Sequence, residues 1–269
     1  MAESKVCSKA AVVPEPLLKI ESLTKRFGGV VPADAISLDV PVGEFHAVIG
    51  PNGAGKTTLI SLLAGEISPQ GGTISFAGGD ITTLPVYRRS AIGIARSFQI
   101  SSLFADFTAL DNVALAVQAH RGHSFRFWRN ARNETELQEP AQAALARVDL
   151  SDRAQVRVEK LSHGERRQLE IAMALATGPR LLLLDEPMAG MGPEESARMV
   201  GLLRELKGSM TILLIEHDMQ VVFALADRLT VLVYGRIIAS GAPEEIRSDE
   251  AVRQAYLGEK DSGGKAAHG

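Results

Sequence analysis

Phe45-His46-Ala47-Val48-Ile49-Gly50-Pro51-Asn52-Gly53-Ala54-Gly55-Lys56-Thr57-Thr58 opens on five residues that read as a strand and runs at once into a glycine-rich turn. Gly50 to Thr57 has the spacing G-x-x-x-x-G-K-[ST], and an amphipathic helix follows to Leu63. Each residue type has a physical task there. Glycines let backbone N–H groups turn inward around phosphate oxygens without a Cβ in the way, and the helix N-terminus adds its dipole. A lysine at position 56 reaches the β and γ oxygens, and the hydroxyl of Thr57 holds Mg²⁺. The stretch predicts a nucleotide site made by Gly50, Pro51, Asn52, Gly53, Ala54, Gly55, Lys56, Thr57 and Thr58.

A site of this kind needs a second part that carries a carboxylate, and Leu181-Leu182-Leu183-Leu184-Asp185-Glu186 supplies it. Four leucines with no polar alternation predict a central parallel strand covered by helices on both faces, with Asp185 and Glu186 at the C-terminal edge where open α/β sheets bind ligands. Asp185 is placed to bind Mg²⁺ through water, and Glu186 is the candidate to orient or deprotonate the attacking water. Other strand-like runs are Leu17–Leu23, Ile36–Val40, Gly72–Phe76, Ile94–Phe98, Ile212–Glu216, Leu229–Tyr234 and Arg236–Ser240. From Phe107 to Thr177 the chain is rich in Ala, Leu, Gln, Arg and Glu, which favour helix. The expected fold is therefore α/β: a P-loop NTPase core with a mainly parallel sheet, a small antiparallel β element over Pro69–Asp80, and an inserted helical subdomain.

Leu161-Ser162-His163-Gly164-Glu165 lies about twenty residues before Asp185 and resembles the LSGGQ signature of the ABC ATPases. Ser162 and Glu165 also have the S-x-x-E spacing of a capping box, opening a helix that Gly178-Pro179 closes. The two readings are compatible, because a capped helix N-terminus with a serine hydroxyl and a glycine is a good anion binder. The resemblance spans about Leu17 to Gly258 and implies further roles. Phe27 in Lys25-Arg26-Phe27-Gly28 looks like the adenine-stacking aromatic. Gln99 in Ser97-Phe98-Gln99 looks like the glutamine that senses Mg²⁺ and water and couples to the membrane subunit. His217 in Ile215-Glu216-His217-Asp218 looks like the histidine that contacts the γ-phosphate. In this family Ser162 and Gly164 act across a dimer interface on the partner's ATP.

The sequence departs from the family pattern at two places. His163 and Glu165 stand where the signature has glycine and glutamine. Ala189-Gly190-Met191-Gly192 stands where many members have Ser-Ala-Leu-Asp, so the aspartate that speaks across the dimer is missing. The wording Asp185-Glu186-Pro187-Met188-Ala189-Gly190-Met191 and the closing Ala255-Tyr256-Leu257-Gly258 resemble the ATPases of branched-chain amino-acid importers. That branch includes relatives serving urea, amides and aromatic acids, and the Leu-Ser-His-Gly wording is similar to the urea-type members. The resemblance implies ATP and Mg²⁺ as cofactors, transmembrane permease subunits as partners, a second ATPase subunit of the same or a related chain, and indirectly a solute-binding protein.

Bulk properties fit such a subunit at the cytoplasmic face of the membrane. Twenty-nine basic against 32 acidic residues leave a net charge of −3, which asks for no nucleic acid. No apolar run exceeds six residues, against roughly 20 for a membrane-spanning helix. The N-terminus carries Glu3 and no apolar block, so no secretory signal is expected, and the single Cys7 forms no internal disulfide. Loosely ordered tails are expected at 1–16 and 259–269, flanking one ATPase domain over 17–258 with its core at 17–100 and 178–258 and helical subdomain at about 101–177. Arg121 to Arg132 mixes four arginines with Phe125, Phe127 and Trp128; it reads either as a solvated loop with its aromatics tucked in or as a contact for the membrane subunit or lipid. The alternative function is a soluble ABC-type ATPase of DNA repair or translation, but the tandem units or long coiled coils usual there are not visible. A regulatory subunit without turnover is opposed by intact Lys56, Asp185, Glu186 and His217.

Overall fold

The computed structural model describes residues 15–97, 103–121 and 135–254. The chain begins with β1 (Leu18–Phe27), β2 (Val30–Val40), β3 (Phe45–Ile49), α1 (Lys56–Ala64), β4 (Gly71–Phe76) and β5 (Gly79–Asp80). It continues through α2 (Val86–Ala91), β6 (Ile94–Arg96), α3 (Ala109–Arg121), α4 (Thr135–Arg147) and α5 (His163–Leu175). The last part holds β7 (Leu181–Asp185), α6 (Pro193–Leu206), β8 (Thr211–Ile215), α7 (Met219–Leu225), β9 (Arg228–Val233), β10 (Arg236–Gly241) and α8 (Pro243–Ser248). Gln99, the Arg121–Arg132 segment beyond its first residue, Ala255–Gly258 and nearly all of the two expected tails lie outside the described residues.

Burial pattern separates two kinds of strand. Every residue of β3, β7 and β8 is buried, as a strand at the centre of a doubly covered sheet requires. These strands belong to a six-stranded sheet ordered β10-β9-β3-β8-β7-β6, parallel throughout except where β10 runs against β9. Alternate leucines of β7 serve different cores. Leu182 and Leu184 pack with Leu169 and Ile171 of α5, while Leu181 and Leu183 pack with Leu59 and Leu63 of α1 and with the interior of a second sheet. Helices therefore cover one face, and α1 together with that second sheet covers the other.

The second sheet is antiparallel, ordered β2-β1-β4-β5. It is larger than the element expected over Pro69–Asp80, because β1 and β2 belong to it and form its longest pair. Period-two patterning explains how it packs: Ile36, Leu38 and Val40 are buried while Ala35, Ser37 and Asp39 face water. In β1 the register shifts between Ile20 and Leu23, with Ser22 at positive φ and its N–H donating to Ser37 Oγ at 2.9 Å. The extra residue of this bulge lets Ile20 and Leu23 both face inward.

Between β6 and β7 the described residues are helical, apart from turns and the bridge Thr108–Arg157. Their apolar stripes, including Leu110 and Val113 of α3, Ala141 and Leu145 of α4, and Leu169 and Ala172 of α5, share one core with the underside of the parallel sheet. No helix among the described residues is long and apolar enough to cross a membrane.

Candidate nucleotide site

Strands β3, β7 and β8 are neighbours in the parallel sheet, so the loops leaving their C-terminal ends converge on one edge. The loop after β3 is Gly50–Gly55, the turn after β7 holds Glu186, and the residues after β8 are Glu216 and His217. The glycine loop is thereby brought to the same edge as two segments more than a hundred residues further along the chain.

The glycine loop is fixed by close approaches of backbone. A Cβ at Gly50 would lie 2.0 Å from the Leu232 carbonyl oxygen, and one at Gly55 would lie 1.9 Å from that of Pro32. Gly55 also has φ 105°, a left-handed conformation, as N-cap of α1. The loop is tied to the β9–β10 turn by Gly235 N–H donating to the Ala54 carbonyl at 2.9 Å. No side chain caps α1 and no acidic residue occupies its first turn, which leaves the helix dipole and N–H donors to an incoming anion. The buried Lys56 ammonium donates to the carbonyls of Gly50 at 2.7 Å and Pro51 at 3.0 Å, folding back over the loop. Thr57 is exposed and Thr58 half-buried.

Asp185 is buried at the end of β7 and accepts from the Arg96 guanidinium at 3.1 Å. Burial pushes its carboxyl above the ordinary value against the pull of Arg96, while the adjacent Glu186 adds to the rise and Lys56 opposes it. Arg96 also donates to Ser61 Oγ at 3.1 Å and is paired with the Glu66 carboxylate, so it links β6 to α1 across the site. Glu186 turns out of the strand at φ 47°, its N–H donating to the Ile215 carbonyl at 2.9 Å. Its Oε1 lies 3.8 Å from His217 Nδ1.

Glu216 is a structural partner that attention to His217 alone passes over. Its buried carboxylate accepts from Met188 N–H at 3.2 Å and His217 N–H at 3.1 Å, binding the loop after Glu186 to the loop after β8. Burial raises its pKa from the usual carboxylate value, the two N–H donors working against the rise. The visible signal was an acid closing the apolar run Thr211–Ile215. Arg96 gave no such signal, because its partner Asp185 is 89 residues away.

The remaining expected site residues fall elsewhere. Phe27 ends β1 with about half its surface exposed, and Lys25 Nζ stands 5.2 Å from its ring centroid. Ser162 is the N-cap of α5 and forms the full capping box: its Oγ accepts from Glu165 N–H at 3.2 Å and its own N–H donates to Glu165 Oε2 at 2.8 Å. Ser162 and Gly164 lie against Glu195 of α6.

Residues 33–189 match the family model described as ABC transporter, and residues 236–262 match a second described as branched-chain amino acid ATP-binding cassette transporter. The high-affinity branched-chain amino acid transport ATP-binding protein BraF of Pseudomonas aeruginosa is 39% identical over 251 residues, covering 91% of this chain and 98% of the relative. LivG of Escherichia coli K12, described in the same words, is 37% identical over 257 residues, covering 91% and 99%. Among solved structures, the ADP conformation of MJ1267, an ATP-binding cassette of an ABC transporter, superposes with a TM-score of 0.80 at 31% identity over 90% of this chain and 98% of the other.

Proposed function

Because the chain belongs to the ATP-binding subunits of ABC transporters, we propose that it hydrolyses ATP to power uptake of branched-chain amino acids or a related small polar solute through separate permease subunits. The observation that carries the importer reading is the match of residues 236–262, outside the general cassette, to the branched-chain amino-acid transporter model. The ATPase reading rests on the convergence of Lys56, Asp185, Glu186 and His217 at one sheet edge.

In this reading the loop Gly50–Thr58 holds the phosphates, and Lys56 exchanges the Gly50 and Pro51 carbonyls for phosphate oxygens. Phe27 stacks on the adenine, its exposed ring being free to do so. Glu186 orients the attacking water and takes its proton, and His217 contacts the γ-phosphate from the neighbouring strand end. Thr57 and Asp185 would hold Mg²⁺, with Gln99 as a further ligand, and the ion would neutralise charge on the β and γ oxygens. The donor set suits this ion: the Thr57 hydroxyl and the Asp185 carboxylate are oxygen donors, and Mg²⁺ takes most other ligands from water and phosphate. Ser162 and Gly164 bind the γ-phosphate of a second ATPase subunit, the same chain or a related one. Residues 17–258 form the working domain, with 101–177 as its helical part, and the subunit works at the cytoplasmic membrane surface.

Affinity purification of tagged chain from detergent-solubilised native membranes tests this reading. Permease subunits and a solute-binding protein are the expected co-purifying species. Recovery of only ribosomal or DNA-repair proteins would replace transport with a soluble ATPase role.

A further inference from the structure

Among the described residues, three helices carry a glutamate at the third helical position. On α5, Glu165 folds back to the Ser162 N–H, and on α8, Glu245 accepts from the Ala242 N–H at 2.9 Å, the usual use of an acid at this position. Glu195 of α6, after the N-cap Gly192, reaches across to α5 instead. Its Oε1 accepts from Ser162 Oγ at 3.2 Å and from Gly164 N–H at 3.3 Å. The fit is close: a Cβ at position 164 would stand 2.7 Å from that oxygen and 2.8 Å from the carboxyl carbon, so a larger residue there would displace the carboxylate from its present place.

A serine hydroxyl and a first-turn N–H converging on one anionic oxygen make an anion site. The anion here is the chain's own. We infer that Glu195 occupies the signature site of its own chain in place of a phosphate oxygen, and has to leave before Ser162 and Gly164 take the γ-phosphate of the partner's ATP. The inference rests on the role given to Ser162 and Gly164 under the proposed function. One pair of donors does not serve a carboxylate and a phosphate together, and the two negative charges repel at that distance. ATP-driven closure then draws only on the fraction of chains whose signature is vacated, which lowers apparent affinity by that fraction. The missing aspartate at Gly192 is thus accompanied by an acid one turn into the same helix that contacts the signature of its own chain.

The test uses the full-length chain carrying Glu186→Gln, with any ATPase subunit that co-purifies, titrated with ATP and Mg²⁺ while dimer is measured by sedimentation velocity. Adding Glu195→Ala is expected to lower the ATP concentration at half-dimerisation about tenfold, with ADP binding to the monomer unchanged. Glu195→Gln, which keeps shape and loses charge, is expected to fall between, and serves the same comparison should the alanine variant not fold. A midpoint that stays the same or rises in both variants, while the parent dimerises normally, overturns the inference alone. If Ser162→Ala leaves dimerisation unaltered, or the parent stays monomeric at every ATP concentration, the signature reading falls and the inference with it.

Discussion

Glu186→Gln is expected to cut ATP turnover by about 10²–10³-fold while ATP binding is kept and the ATP-bound dimer persists. The amide has the shape of the carboxylate and none of its basicity, so the loss falls on the step in which water gives up its proton. The position is built for one role. A non-glycine residue in the left-handed region costs about 1–2 kcal/mol, and Glu186 is held there by its N–H bond to the Ile215 carbonyl. That turn takes the side chain out of the sheet and sets its carboxylate 3.8 Å from His217 Nδ1. Phosphate release in steady state, beside equilibrium binding of ATP, separates the two effects. A variant that keeps more than about a tenth of the turnover would move the base to another residue.

Arg89→Met is expected to destabilise the fold by about 3 kcal/mol. Arg89 is 1% exposed, and its guanidinium donates to four backbone carbonyls: Leu62 at 2.7 Å, Leu63 at 2.8 Å, Leu84 at 2.8 Å and Thr82 at 3.0 Å. Two of these carbonyls end α1, so the side chain caps the helix whose other end is the proposed phosphate site, and its charge suits the negative end of the dipole. Burial lowers the arginine pKa from its ordinary value, because desolvation disfavours the charged form. Methionine fills the volume and takes the guanidinium donor from all four carbonyls, of which that of Leu62 keeps the Gly65 N–H at 3.2 Å, an outcome worse than never having buried the group. At about 2–4 °C per kcal/mol in a chain of this size, thermal unfolding should fall by roughly 10 °C. An unchanged unfolding temperature would mean that water replaces the guanidinium without loss.

Features set by neighbouring residues were legible in the sequence. The stretch around the glycine loop gives β3 with its expected bounds and α1 one residue beyond Leu63, because an apolar run, a glycine turn and a helix-forming segment each act over a few residues. The capping box of Ser162 and Glu165 is likewise local chemistry and is present with both bonds. Features set by distant pairing were not legible. The alternation Ile36-Ser37-Leu38-Asp39-Val40 marks β2 as a strand with one face in water, but nothing along β1 and β2 says that they pair with each other and with β4 in a sheet of their own. Arg96 meets Asp185 across 89 residues and Glu195 meets Ser162 across 33, and no spacing rule reaches that far. The same limit explains Glu216: an acid at a strand end reads as solvated until the Met188 loop folds over it.

The central claim, that this ATPase drives import, is tested most directly by uptake of radiolabelled leucine, isoleucine, valine, urea and short amides in native host cells. Cells lacking the chain are compared with cells complemented by wild type or by Glu186→Gln. The expected result is loss of uptake of at least one of these solutes on deletion, restored by wild type and not by the variant. Equal uptake of every solute in all the strains would contradict it.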